Sequence, residues 1–427
     1  MIYGRESCIG QEEMRFVLVS THIDQTIGYA KVSYNLIRQL ATLAPAVKVF
    51  HFGFQRHPSR ASIRKYPEGV LSYDAAANED PKEEGFGFNK IHEYLEMVNP
   101  DVVMIYNDPI TVYRFTEAMK HDRMKSPYKL WIYLDQVYEG IAPPLIENLQ
   151  KHADRVYCFS AAWKDTLLKY GSFTDVRVIE HAVDPAIFHP IASDVRGSIR
   201  KNMTIPLNAV VFFNANRNSQ RKRLDLTISG FVHALKDMPN AYLIIASNMT
   251  PQTGAFYDLQ RIYIEELKRA NLDLREYASR LLLLDTSLPN LIDDEGINQL
   301  YNISDVGVNT SDGEGYGLCQ LEHLFVGAPQ IVTDVGTYRS FLNDSNSVMV
   351  KATDRAYFAG NMPHGAWAPV FTSESIAAAY KQAYENLNTL KASRPTFKTW
   401  SQVCDEFLED VLTLSGDQAT IVSVQAK

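Results

Sequence analysis

Residues 305–333 read DVGVNTSDGEGYGLCQLEHLFVGAPQIVT and combine a short apolar run, a loop with three glycines, a helical pattern and a second apolar run. The two runs, residues 305–309 and 330–333, have the length of buried strands, and residues 318–326 place apolar side chains at helical spacing. A strand, a helix and a strand in this order form a βαβ unit, whose two strands are parallel. The stretch therefore predicts an α/β protein built on a parallel sheet.

The same alternation runs along the chain on both sides of this unit. Further strands are predicted at residues 15–20, 47–53, 101–106, 129–134, 155–160, 176–179, 209–214, 241–247 and 281–284. Residues 183–206 are rich in Pro, Asp and Ser and predict a linker, after which the alternation starts again. We expect two Rossmann-like, doubly wound domains that face each other across a cleft, with ligands at the carboxyl ends of the strands.

The predicted domain boundaries follow from this restart. The first domain is expected at residues 1–190 and the second at residues 191–395. Residues 396–414 show a last helical pattern, which we expect to cross back and brace the first domain. Residues 415–427 have the composition of a loose tail.

Composition narrows the class of protein. The 427 residues carry 42 Lys and Arg against 50 Asp and Glu, a formal net charge of −8, and 46% of them are hydrophobic. This balance excludes a wholly disordered chain and argues against nucleic acid as a partner, because phosphate contacts need a basic surface. No apolar run approaches the roughly 20 residues of a membrane span, and residues 1–13 show no signal-peptide pattern. The sequence predicts a soluble cytoplasmic enzyme with weak or no membrane association.

The four cysteines, at positions 8, 158, 319 and 404, are far apart and form no C-x-x-C pair. Such spacing predicts free thiols in a reducing compartment and no zinc site. The sequence leaves the oligomeric state open, a homodimer included.

The glycine loop before residues 318–326 contains the features expected to bind a ligand. Glycine lets the backbone come close to a ligand, and the free N–H groups at a helix start bind anions. Glu314 lies in the loop, and Glu322 lies eight residues later, about one turn into the helix. Carboxylates accept hydrogen bonds from vicinal hydroxyls, so the pattern favours a diphosphate flanked by sugars. In the alternative interpretation, both acids are solvated, and the helix dipole stabilises the second.

A cluster of cations follows the strand predicted at residues 209–214. Arg217, Arg221, Lys222 and Arg223 lie within seven residues, at a strand end where a diphosphate would bind. Positioned cations stabilise a diphosphate leaving group. A charge run is also typical of a solvated face, and Arg221 and Arg223 fit that alternative.

Together these segments resemble a known family. The run E-G-Y-G-L at residues 314–318, Glu322 and the G-A-P at residues 327–329 resemble the signature of retaining GT-B glycosyltransferases of family 4, the glycosyl transferases group 1. The cation segment and residues 178–190, VIEHAVDPAIFHP, are similar to further segments of that family. The resemblance extends from about residue 154 to residue 337 and is weaker before it, in the expected acceptor-binding domain.

The resemblance implies roles for particular residues. Arg217 and Lys222 would bind the donor diphosphate and assist catalysis. Glu322 would accept hydrogen bonds from the nucleotide ribose, and Glu314 would contact the transferred sugar.

Backbone groups would also contact the phosphates of the donor. The amides around Tyr316, Gly317 and Leu318 would help to hold them, and Gly28 would approach the β-phosphate, although a plain turn glycine explains Gly28 equally well. Asp135 occupies the region where the family often has a histidine near the donor sugar. It is therefore either a catalytic carboxylate or a turn residue at a strand end.

The resulting hypothesis is a metal-independent enzyme of glycan biosynthesis. It would transfer a hexose from GDP-mannose or a UDP-sugar to a carbohydrate hydroxyl, with retention of anomeric configuration. The chain contains no D-x-D motif, the usual partner of a metal-bridged diphosphate. The alternatives are a nucleotide-sugar epimerase, a phosphorylase and a non-catalytic nucleotide-sugar binding protein. The sequence does not settle the donor, the acceptor or the linkage.

Overall fold

The structure is a computed structural model that describes residues 13–58, 61–77, 80–120, 127–287, 289–358, 366–392 and 396–415. Most of the predicted tail and Cys8 lie outside these residues. The described cysteines, Cys158, Cys319 and Cys404, are free thiols. None of the described helices is long and apolar enough to cross a membrane.

The first domain is a parallel sheet of seven strands in the order β3-β2-β1-β4-β5-β6-β7. Its strands are β1 Met14–Thr21, β2 Val47–Phe54, β3 Leu71–Asp74, β4 Val102–Asn107, β5 Lys129–Leu134, β6 Arg155–Cys158 and β7 Val176–Val178. Its helices are α1 Gly28–Ala41, α2 Ile91–Val98, α3 Pro109–Met119, α4 Pro143–His152 and α5 Ala161–Leu168. Nearly every residue of β1 and β4 is buried, as expected for central parallel strands covered by helices on both faces.

The second domain repeats this architecture with six parallel strands in the order β10-β9-β8-β11-β12-β13. Its strands are β8 Val210–Asn214, β9 Ala241–Ser247, β10 Leu281–Asp285, β11 Val306–Asn309, β12 Gln330–Thr333 and β13 Ser347–Val350. Its helices are α6 Ser193–Asn202, α7 Leu224–Ala234, α8 Leu259–Arg269, α9 Leu274–Tyr277, α10 Asp294–Ile303, α11 Leu318–Phe325, α12 Ser373–Glu385 and α13 Leu387–Ala392. An antiparallel pair, β14 Asp354–Phe358 and β15 Ala366–Val370, follows the sheet.

The last described helix, α14 Trp400–Ser415, packs on α1 of the first domain. Phe407 lies edge-on to Phe16 and Trp131, with ring centroids 6.0 and 6.2 Å apart. Asp410 accepts a hydrogen bond of 2.6 Å from the hydroxyl of Tyr157. The chain therefore starts and ends its described part on the same sheet.

The alternation of strands and helices predicted from the sequence is confirmed, with two corrections. Residues 183–206 are not only a linker, because α6 forms within them and buries Arg200. The sequence also missed β3, β13 and the β14–β15 pair. These strands are short, and β3 lies at a sheet edge with partly exposed side chains, so it lacks a continuous apolar run.

Candidate functional site

A large open cleft of about 1440 Å³ lies between the two sheets. Both domains line it, with residues that follow β1 and β5 on one side and β8, β9 and β11 on the other. The carboxyl ends of parallel strands carry the loops that bind ligands in such folds. The cleft is therefore the candidate site.

The glycine loop enters the cleft from the second domain. Gly317 caps the start of α11 with φ of 91°, a left-handed conformation that strongly favours glycine. A Cβ atom at this position would overlap the ring of Tyr338. No side chain caps α11, and its first residues line the cleft, so its first amides are available to bind an anion.

Glu314 is held by cations and amides deep in the cleft. Its carboxylate accepts a hydrogen bond from Lys222, and Arg221 Nη1 lies 3.8 Å from the same oxygen. Asn309 Nδ2 donates to that oxygen over 3.3 Å. Burial acts to raise the pKa of Glu314, but the charges of Lys222 and Arg221 outweigh it and hold the pKa below its usual value. Glu314 is therefore ionised at neutral pH.

Arg221 is a site residue that the sequence did not separate from its solvated neighbour. Its guanidinium donates to the carbonyl of Gly313 and is oriented into the cleft. Arg223, in contrast, forms an ion pair of 2.9 Å with Asp225 next to it. Arg217 is exposed and lines the cleft on the same side. Three cations, Arg217, Arg221 and Lys222, thus line the cleft from the second domain.

Glu322 forms a second, separate group of contacts. It lies in the second turn of α11, with only 3% of its side chain exposed. Its Oε2 atom accepts a hydrogen bond of 3.0 Å from the hydroxyl of Tyr301, and its Oε1 lies 2.9 Å from Nζ of Lys31. Lys31 belongs to α1, so this contact spans the cleft between the two domains.

Asp135 belongs to the first domain, just beyond β5, and faces the glycine loop of the second domain. One carboxylate oxygen accepts a hydrogen bond from the hydroxyl of Tyr29. The other, Oδ1, is buried without a hydrogen-bond partner among the described residues and lies against Gly315, where a Cβ atom would overlap it. Burial raises the pKa of Asp135 to about 6, although the bond from Tyr29 opposes the shift. A buried acceptor with no partner is unfavourable and fits a place for a ligand hydroxyl.

The remaining predicted residues lie around the same cleft. Gly28 is the first residue of α1, and a Cβ there would be 3.5 Å from Leu318 Cδ1. Tyr316 is buried, with its ring stacked on Phe341 at 5.5 Å, so its backbone rather than its hydroxyl lies nearer the glycine loop. All nine residues to which the family resemblance gives roles line this one cleft.

Sequence reasoning missed further residues that line the cleft, most of them in the first domain. Lys31 of α1 belongs to no sequence motif. Tyr29, Arg64 and Asp294 carried no motif at all. Their contacts join segments far apart in the chain, so no local pattern could have indicated them.

Comparisons with known proteins gave a family match and a set of similar solved structures. Residues 208–363 match the family model described as Glycosyl transferases group 1. No curated protein sequence gives a significant match. Sucrose-phosphate synthase from Thermosynechococcus elongatus is similar in structure, with a TM-score of 0.68, 15% identity and coverage of 94% of this chain and 99% of that chain.

Two further solved structures are similar over nearly their whole length. HepE of Anabaena in complex with UDP-glucose has a TM-score of 0.62 and 14% identity, covering 96% of this chain and 100% of that chain. The E. coli structure described as trehalose-6-phosphate bound with UDP-2-fluoro glucose has a TM-score of 0.60 and 12% identity, covering 94% and 99%.

The fold is therefore GT-B, as predicted, with two Rossmann-like domains facing a cleft. The resemblance to group 1 glycosyltransferases is confirmed over the matched residues 208–363 of the second domain. The family match covers part of the second domain, and the similar structures show the fold of both domains.

Proposed function

We propose that this chain is a retaining hexosyltransferase that moves a sugar from a nucleotide-diphosphate donor to a carbohydrate hydroxyl. One observation carries the proposal. Three cations, an uncapped helix start and two carboxylates line one cleft, and the carboxylates are bound by Lys222 and by Tyr301 respectively. Such a site offers positive charge for a diphosphate and acceptors for hydroxyls on both sides of it.

Each part of the donor then has a partner. Arg217, Lys222 and the amides that follow Gly317 bind the diphosphate. Glu322 accepts hydrogen bonds from the ribose hydroxyls, and Glu314 contacts the transferred sugar. The bound donor in this arrangement spans the second domain, and the acceptor enters from the first.

The reaction follows from where charge develops. As the bond between sugar C1 and the phosphate oxygen breaks, positive charge builds on the sugar ring and negative charge on the leaving diphosphate. Arg217, Arg221 and Lys222 stabilise that negative charge and need no reorganisation to do so. The acceptor hydroxyl attacks C1 from the same face and passes its proton to a phosphate oxygen. The products are the glycoside and the nucleoside diphosphate.

A UDP-hexose is the first donor to test, with GDP-mannose as the second. HepE of Anabaena is described in complex with UDP-glucose, and the E. coli structure with a fluorinated UDP-glucose. Charge stabilisation by protein cations favours a reaction that does not require a metal ion. Calorimetric titration against a panel of nucleotide sugars tests the donor, and product analysis with and without a sugar acceptor tests transfer. Binding of no nucleotide sugar would overturn the proposal, and conversion of the donor without an acceptor would indicate an epimerase.

Asp135 is proposed to accept a hydrogen bond from a hydroxyl of the bound sugar through Oδ1. Because burial raises its pKa to about 6, the carboxyl becomes protonated as the pH falls through that value and loses this acceptor. We expect kcat/KM to fall about tenfold for each pH unit below about 6, as for loss of a single ionised group. The measurement is kcat/KM for transfer between pH 4.5 and 8.

The variant Asp135→Asn separates this group from others that titrate nearby. It is expected to be slower at pH 7 and to lose the acidic limb, because an amide does not ionise in this range. A limb of the same shape in Asp135→Asn would assign it to a different carboxyl and remove the proposed role.

A further inference from the structure

An ion-pair network crosses the cleft at the inner end of the site. Lys31 Nζ lies 2.9 Å from Glu322 Oε1 and 3.1 Å from Asp294 Oδ1. Arg64 lies 2.6 Å from the other oxygen of Asp294. Both cations belong to the first domain and both acids to the second. We call these four residues the cleft network.

The network is built into the fold rather than formed by loose surface side chains. Arg64 also donates to the carbonyl of Gln25 over 2.7 Å, in the loop that leads into α1. Only 6% of the Arg64 side chain and 18% of the Lys31 side chain are exposed. Burial acts to lower the pKa of Lys31, but Glu322 and Asp294 outweigh it and raise the pKa. Lys31 is therefore a fixed positive charge in the cleft.

Glu322 forms an ion pair with Lys31 and still has lone pairs that can accept hydrogen bonds from a ligand. An ionised carboxylate has about four lone-pair positions, and Lys31 and Tyr301 take one on each oxygen. The remaining positions are free to accept two vicinal hydroxyls. Burial is the largest influence on the carboxyl and raises its pKa, and Lys31 is the main opposing charge. Without Lys31 the carboxylate would be less ionised and would have one fixed contact fewer.

We propose that Lys31 is a positioning residue that, from the opposite domain, orients Glu322 toward the ribose diol of the donor. This inference rests on the proposed function, since it deepens the role of Glu322. The ribose subsite then belongs to both domains, and it is complete only when α1 and α11 stand in their present arrangement. Lys31 itself does not touch the reacting atoms.

The test is calorimetric binding of UDP and GDP, with the 2′,3′-dideoxy form of the tighter nucleotide as a probe that lacks the diol. We expect Lys31→Met to raise the Kd of the full nucleotide about tenfold, as for loss of support to one charge-assisted contact. The dideoxy nucleotide should show a change of about twofold or less. Lys31→Arg, which keeps the charge, should restore most of the affinity. In transfer assays Lys31→Met should raise the donor KM about tenfold and leave kcat within about twofold.

Two further variants exclude a merely structural role. The double variant Lys31→Met/Glu322→Gln should bind the nucleotide no more than about twofold worse than Glu322→Gln alone, because both changes weaken the same contact of residue 322 with the ribose hydroxyls. Lys151→Met is the matched control, since Lys151 is an exposed lysine of the first-domain helix α4 and does not line the cleft. It should leave nucleotide affinity within about twofold.

The possible outcomes distinguish this inference from the proposed transferase function on which it rests. A wild-type chain that binds neither nucleotide nor any nucleotide sugar overturns both. Wild-type binding with an unchanged Kd in Lys31→Met overturns the inference alone. An equal loss for the full and the dideoxy nucleotide, or fully additive effects in the double variant, also overturns it, because the effect would then come from domain packing.

Discussion

Replacing Lys222 by alanine is expected to lower the turnover of sugar transfer by about 10²-fold, which corresponds to about 3 kcal/mol in the activation barrier. Lys222 is the cation in direct contact with Glu314, and it lies beside the proposed diphosphate position. Its charge stabilises the leaving group most strongly when the bond to the sugar breaks, so the main loss should appear in kcat. Steady-state kinetics with a verified donor and acceptor provide the measurement.

The control for this variant is Lys268→Ala. Lys268 is an exposed lysine of α8 that does not line the cleft, and its loss should change kcat by less than about twofold. Thermal denaturation of both variants checks that each remains folded. Transfer by Lys222→Ala at the wild-type rate would contradict the assignment of the cation segment to the leaving group.

The largest expected effect on stability belongs to Asp305, which precedes β11. Its carboxylate lies 2.6 Å from Arg200, 2.8 Å from Arg196 and 2.7 Å from Lys391, and it accepts a hydrogen bond of 2.9 Å from the amide of Val211. Arg200 is buried, with 1% of the residue exposed, so removal of the acid leaves a buried charge without its carboxylate. Asp305→Ala should lower the free energy of unfolding by about 3–5 kcal/mol.

Urea denaturation measures this loss, with separate probes for the two domains because a two-domain chain need not unfold in one step. The matched control is Asp237→Ala, which breaks the exposed ion pair with Lys381 and should cost less than about 1 kcal/mol. A loss of less than about 1 kcal/mol in Asp305→Ala would show that Arg200 finds other partners, such as the carbonyl of Ile303 that it already contacts at 2.7 Å.

Sequence patterns predicted the glycine loop of the second domain and the elements on either side of it. The strand before the glycine loop, the start of α11 and the position of Glu322 follow from local spacing, because each depends on residues close in the chain. The helix α6 was missed because it lies in a segment rich in Asp and Ser and is mostly exposed, so it shows little apolar periodicity. The buried role of its Arg200 depends on Asp305, more than a hundred residues later.

The sequence by itself determined the α/β class and the two facing domains and indicated the proposed donor-site residues of the second domain, since these depend on periodicity and on glycines and charges at strand ends. Only the tertiary structure decided which cations line the cleft, turning Arg221 inward and pairing Arg223 with Asp225. It also placed Lys31 in contact with Glu322, and Asp135 in contact with Gly315. The last two contacts join the two domains and form only when the sheets face each other, because close contacts need their partners within a few ångströms.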